Sequence, residues 1–161
     1  MGEALEPWLD FHWIVEWDLP PGEYRLTLRG TERETPTYRF RLLDLDTAPP
    51  IALGATASTT HSPGSGTVAY QLQLVPGQIL LGRALQLDGF TQERPRWMLV
   101  DPDGRNLWNQ SFNDSSIVTT AAGGRHTLLV LGPLSPTSLA PSHSLAILPV
   151  TRREASLVFD T

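Results

Sequence analysis

The sequence predicts an all-β protein, an antiparallel β-sandwich, on three observations. Apolar residues recur at every second position in short runs, as half-buried strands require. Turn signals rich in Pro, Gly, Asn and Asp separate these runs at intervals of about 8–12 residues, the rhythm of sandwich folds. No segment carries the 3.6-residue periodicity of an amphipathic helix.

In chain order, Leu9, Phe11, Trp13, Val15 and Trp17 share one face of a first strand, with Asp10, His12, Glu16 and Asp18 opposite and Ile14 as the exception. Leu19-Pro20-Pro21-Gly22 turns the chain into Tyr24, Leu26 and Leu28, which alternate with Arg25, Thr27 and Arg29. After a polar loop, Tyr38, Phe40 and Leu42 repeat the pattern against Arg39 and Arg41. Thr47-Ala48-Pro49-Pro50 reads as a junction, because consecutive prolines favour extended chain and cannot donate to a ladder. Ile51–Ala57 is expected as a short strand and Ser58–Gly66 as a loop by composition. Val68, Tyr70, Leu72 and Leu74 alternate, Pro76-Gly77 turns, and Ile79–Leu87 forms the next strand.

The stretch Arg96–Gly132 is the clearest of all. Trp97–Val100 is apolar and ends at Asp101-Pro102-Asp103-Gly104, a strong reversal signal. Arg105–Phe112 follows, with Trp108, Gln110 and Phe112 on one face. Ile117–Thr120 is β-branched, Ala121–Gly124 turns, and Arg125–Leu131 is apolar. Pro133–Ser142 is proline- and serine-rich, Leu145–Val150 is a strand, and Ala155–Phe159 is a last apolar run.

Composition narrows the function classes. The 161 residues suffice for one well-buried domain, and a net charge of −5 weighs against a phosphate-binding surface, so no nucleic-acid partner is expected. All twelve basic residues are arginine. Without cysteine there is neither a disulfide nor a thiolate metal site. Met1-Gly2-Glu3-Ala4 is not followed by the basic and then apolar run of a signal peptide, and apolar runs fall short of the ~20 residues of a membrane helix. No membrane insertion is expected.

An internal repeat suggests the domain organisation. Leu19–Gly30 (LPPGEYRLTLRG) aligns with Ala121–Gly132 (AAGGRHTLLVLG): a small-residue turn enters an alternating strand that stops at glycine. Each copy leads through a proline-bearing loop into another alternating strand, Tyr38–Leu42 or Leu145–Pro149. The spacing of roughly 100 residues is that of a domain rather than a solenoid. The expectation is a complete module over residues 48–150. Residues 1–47 would be the closing strands of a preceding partial repeat packed on it, and residues 151–161 the start of a following segment. A piece of about 47 residues does not bury enough surface to fold alone, which makes the chain look like part of a longer protein.

Three segments carry a resemblance. Tyr70–Gln86 (YQLQLVPGQILLGRALQ), Arg96–Phe112 (RWMLVDPDGRNLWNQSF) and Thr119–Gly132 (TTAAGGRHTLLVLG) are similar to the bacterial pre-peptidase C-terminal (PPC) type of β-sandwich module. Such modules have a strand entering a PGQ-like turn, a W-x-L-x-D-P-x-G hairpin and an AAGG-x-x-T-L-x-V closing strand. The resemblance covers about two thirds of the chain, and its motifs are mostly turn chemistry. It implies a non-catalytic jelly-roll-like domain of secreted proteases and of large surface proteins, where it occurs in tandem. An extracellular or cell-surface location follows from the resemblance alone.

The candidate sites each compete with a simpler reading. Asp101, Asp103, Asn106 and Asp114 are oxygen ligands of the kind calcium takes, although Asp101–Gly104 is accounted for as a β-turn; no other cofactor is suggested. Trp13 and Trp17, with Phe11, form an aromatic face that suits sugar rings or a core, and Trp97 and Trp108 are open to the same two readings. Arg25, Arg29, Arg39 and Arg41 would make a stripe for anionic glycans, blunted by Glu23, Glu32 and Glu34. His12, His61, His126 and His143 are scattered, without a metal-binding pair, a Gly-x-Ser-x-Gly elbow or triad order. His126, in an alternating strand, is expected to be packed.

The functional expectation is therefore a non-enzymatic structural, spacer or adhesion module of a large secreted or surface protein, one unit of a series. Its partners would be neighbouring modules of the same protein, including head-to-tail pairing through an open strand edge. The alternatives are a carbohydrate-binding module that uses exposed aromatics and an accessory domain of a secreted protease.

Overall fold

A computed structural model describes residues 22–25, 27, 42–62, 66–90, 94–112, 115–132 and 140–152. The chain divides into two compact units, Met1–Asp44 and Leu45–Thr161. In the first, the described residues Gly22–Arg25, Thr27, Leu42 and Asp44 are exposed and Leu43 is half-buried. The remaining strand positions expected before Leu42, which make up the rest of the first repeat copy, and Ala155–Phe159 lie outside the described residues.

Among its described residues the second unit opens with a 3-10 turn, Leu45–Thr47, followed by eight strands: β1 (Thr56–Thr60), β2 (Thr67–Leu74), β3 (Ile79–Asp88), β4 (Arg96–Val100), β5 (Asn106–Ser111), β6 (Ser116–Thr119), β7 (Gly124–Leu131) and β8 (Ser142–Val150). They form two four-stranded sheets, β1-β8-β3-β6 and β2-β7-β4-β5, with every strand pair antiparallel. First pairs with last, second with seventh, third with sixth and eighth, and fourth with fifth and seventh. This is the strand order of a jelly roll, in which a long hairpin is rolled into two facing sheets.

Alternation does the sorting. On β2, Tyr70, Leu72 and Leu74 turn inward while Gln71 and Gln73 turn out; on β8, His143, Leu145 and Ile147 turn inward. The core between the sheets joins these residues to Leu80, Trp97, Leu99, Trp108, Phe112, Leu128 and Val130. Two bulges reset the alternation where it would otherwise drift. Leu85 is the extra residue between the Ala84–Leu145 and Gln86–Ser144 pairs, and it is largely turned out. Leu107 is skipped between the Leu99–Trp108 and Val100–Asn106 pairs.

The structure redraws three boundaries. Strand β1 lies over Thr56–Thr60, spanning the last two residues of the expected strand Ile51–Ala57 and the first three of the stretch whose composition suggests a loop, and Ile51–Ala55 turns instead through Leu53-Gly54. Pairing with β8 overrides composition here, and threonine is at home on an edge strand. Strand β8 starts at Ser142, three residues before its apolar run, because Ser142–Ser144 pair with both β1 and β3. Pro149 sits in β8 beyond the reach of β1, where its missing N–H leaves no ladder bond unmade on that side. The Pro49-Pro50 pair lies against the free edge of β2: Gln71 N–H donates to Pro49 O (3.0 Å) and Ile51 N–H to Gln71 O (2.9 Å). The Gln71 side-chain amide donates to Leu45 O and Asp46 O, tying the 3-10 turn to the same edge.

Candidate functional site

The most concentrated chemistry of the sandwich is buried. β1 and β8 run antiparallel with Thr59 opposite His143, and one step past β1 the His61 N–H donates to Pro141 O at 2.7 Å. His61 and His143 are therefore diagonal neighbours on the inner face. Their rings meet with Nε2 of His61 2.8 Å from Nδ1 of His143. On the far side, Nε2 of His143 lies 3.2 Å from the Tyr70 hydroxyl, which arrives from β2 in the opposite sheet. The remaining nitrogen, His61 Nδ1, lies 2.7 Å from Gly66 O.

Only one proton arrangement satisfies every member of this chain with neutral rings. Gly66 O can only accept, so His61 carries its proton on Nδ1 and accepts at Nε2; His143 then donates from Nδ1 and accepts at Nε2 from the Tyr70 hydroxyl. The result is a directional relay from Tyr70 through both rings to Gly66. Relative exposures of 0% for His61, 2% for His143 and 5% for Tyr70 seal it from water. Phe90 packs edge-on to His61 and Phe112 edge-on to His143. Burial disfavours every charged form: it lowers His61 against the raising effect of the Gly66 bond. Burial, then the neighbouring His61, brings His143 down to about 4. Burial pushes Tyr70 up to about 12. The relay is built to stay neutral.

A second cluster is aromatic. Trp97 packs on Trp108 and Phe112 with ring centroids 5.6 and 5.0 Å apart. Gly82 of β3 faces them from the other sheet; a Cβ there would stand 2.8 Å from Cη2 of Trp97 and 3.3 Å from Cζ2 of Trp108. The two indole N–H groups and His126 Nε2 are buried without a hydrogen-bond partner among the described residues. With 0% and 8% exposure, Trp97 and Trp108 turn their rings into the core and offer no platform to a sugar from outside. Trp13 and Trp17 lie outside the described residues.

Asp101 closes the β4–β5 turn. It is 5% exposed, and its Oδ1 accepts from the N–H groups of Asp103 (2.9 Å) and Arg105 (2.8 Å), an Asx-type turn. Gly104 takes the left-handed conformation (φ 77°) the reversal needs. Asp103 points instead to Arg105 at 3.5 Å on the surface, and Asn106 is exposed. Among the described residues no three His, Asp or Glu side chains converge on a metal position; Asp114 is outside them. Of the arginine stripe, Arg25 is exposed, and Arg29, Arg39 and Arg41 are outside the described residues.

The sequence presents His61 and His143 as separate loop residues, and the structure joins them across 82 positions. The available signal was parity. His143 stands two residues before Leu145 and four before Ile147, and so shares their inward face. His126 is fully buried, its Nδ1 3.2 Å from Gly124 O.

No known protein family matches the sequence, nor does any curated protein. Among solved structures the chain is similar to PliG of Aeromonas hydrophila, a periplasmic inhibitor of g-type lysozyme, at 14% identity and a TM-score of 0.47, covering 63% of this chain and 96% of that one. It is similar to the pre-peptidase C-terminal domain of a Bacillus anthracis collagenase at 15% identity and TM-score 0.47, over 62% and 93%. PliG of Salmonella Typhimurium follows at 17% and 0.42, over 62% and 97%.

Proposed function

We propose that this chain is a non-catalytic accessory module of a secreted or cell-surface protein, one of a tandem series, whose work is spacing and presentation. The observation that carries the reading is how the sandwich spends its reactive side chains. His61, His143 and Tyr70 are bonded to one another inside the core, and Asp101 is bonded to its own turn. Groups committed in this way fasten a scaffold; catalysis needs them turned toward a substrate. The turn motifs shared with pre-peptidase C-terminal modules support the same reading.

Two experiments test it. Sequencing outward from the coding region should find further copies at a period of roughly 100 residues; a flanking region without copies refutes the tandem series. Screening the intact chain on a glycan array should give no saturable signal. Specific retention of one glycan class would replace the spacer reading with the carbohydrate-binding one.

A further inference from the structure

We propose that the His61–His143–Tyr70 relay is an acid-sensitive clasp on edge strand β1, holding it to the sandwich at neutral pH and releasing it on protonation while the β2-β7-β4-β5 sheet stays folded. The geometry makes β1 the element that depends on the relay. Among the described residues β1 pairs with β8 alone, through five residues, and within it only Ala57 is buried. Its next large inward side chain is His61, which also fastens Gly66 at the entrance to β2. The relay is the polar tie between β1, β8 and the facing sheet.

A proton cannot be added without reversing the relay and leaving a charge in the core. Added at His61 Nε2, it confronts the N–H of His143. His143 must then shift its proton to Nε2, and the Tyr70 hydroxyl must turn from donor to acceptor, leaving its own hydrogen unpartnered in the core. The charge would also be unbalanced. The pair is faced by Tyr70 from β2, by Phe90 and Phe112, and by Leu87 across the β3–β8 pairing, none of which carries a charge. Asp88, the next residue on β3, alternates to the other side of the sheet and is exposed. Among the described residues no carboxylate meets either ring.

The sign follows from linkage. Held in place, His143 titrates at about 4, below its ordinary 6.5. His143 stays on β8 when β1 leaves, but it loses its His61 partner and meets water, so it binds protons more readily; the clasp is intact above about pH 6.5 and is lost as pH falls toward 4. Were His143 to regain its full ordinary value on opening, the opening constant of β1 would rise roughly 20-fold between pH 7 and pH 5, which sets the upper limit.

Hydrogen exchange of the intact chain, corrected for the intrinsic pH dependence of exchange, measures this directly. Thr56–Thr60 should lose several-fold, up to about 20-fold, in protection between pH 7 and pH 5, with Leu128–Val130 of β7 unchanged. Loss of protection in both segments together, or in neither, overturns the proposal. His143→Gln replaces the ring with an amide that donates and accepts but does not titrate. It should flatten the β1 response, and an undiminished response in the variant overturns the proposal. Should that variant fail to fold, ring-nitrogen NMR of the native chain decides: both histidines should be neutral Nδ1–H tautomers at pH 7. An imidazolium or an Nε2–H tautomer there refutes the clasp.

Discussion

Gly82→Ala isolates the packing between the sheets. The backbone at Gly82 is not in the left-handed region, so the substitution adds one methyl without backbone strain. That methyl would lie 2.8 Å from Cη2 and 3.2 Å from Cζ2 of Trp97, and 3.3 Å from Cζ2 of Trp108. Trp97 is fully buried, wedged against Trp108 and Phe112, and cannot swing away cheaply. Overpacking of this kind costs about 1–3 kcal/mol, whereas stiffening the unfolded chain returns about 0.4–1 kcal/mol. The net expectation is a destabilisation of about 0.5–2 kcal/mol, a fall in Tm of roughly 2–10 °C for a unit of this size. Urea and thermal unfolding followed by tryptophan fluorescence measure it. The cause is checked by a double-mutant cycle with Trp97→Phe, which removes the two nearest atoms the methyl meets. The two changes should be less than additive by about 1 kcal/mol or more. A stabilised Gly82→Ala protein, or strict additivity in the cycle, would refute the packing argument.

Other substitutions test the polar fastenings. Asp101→Ala strips the β4–β5 turn of two backbone hydrogen bonds and should cost about 1–2 kcal/mol in urea unfolding. Thr120→Val should cost about 1–3 kcal/mol, because the buried hydroxyl donates to Val75 O at 2.6 Å and accepts from Gln78 N–H at 3.1 Å. Tyr70→Phe leaves His143 Nε2 without its donor and should cost about 1–2 kcal/mol near neutral pH. At the alkaline end its effect reverses in slope. Tyr70 is raised to about 12 in the fold, so the native protein loses stability as pH climbs from about 10 to about 12. The variant should lose less over that window in the same unfolding measurement.

The apolar patterns of Val68–Leu74, Trp97–Val100 and Arg125–Leu131 and the turns at Pro76-Gly77 and Asp101–Gly104 by themselves determine most of the second unit. Side-chain period and turn chemistry are local properties, legible one segment at a time. β1 was not legible, since Thr56–Thr60 has little apolar pattern of its own and is a strand because β8 offers it an edge. The bulges at Leu85 and Leu107 likewise depend on neighbouring strands. The relay is the furthest of all from local reading. His61 and His143 are unremarkable residues in Ser-rich surroundings until the first strand pairs with the last, and Tyr70 reaches them only when one sheet closes over the other. Parity told which way each side chain turns; which partner it meets there was decided by long-range register, which no single segment encodes.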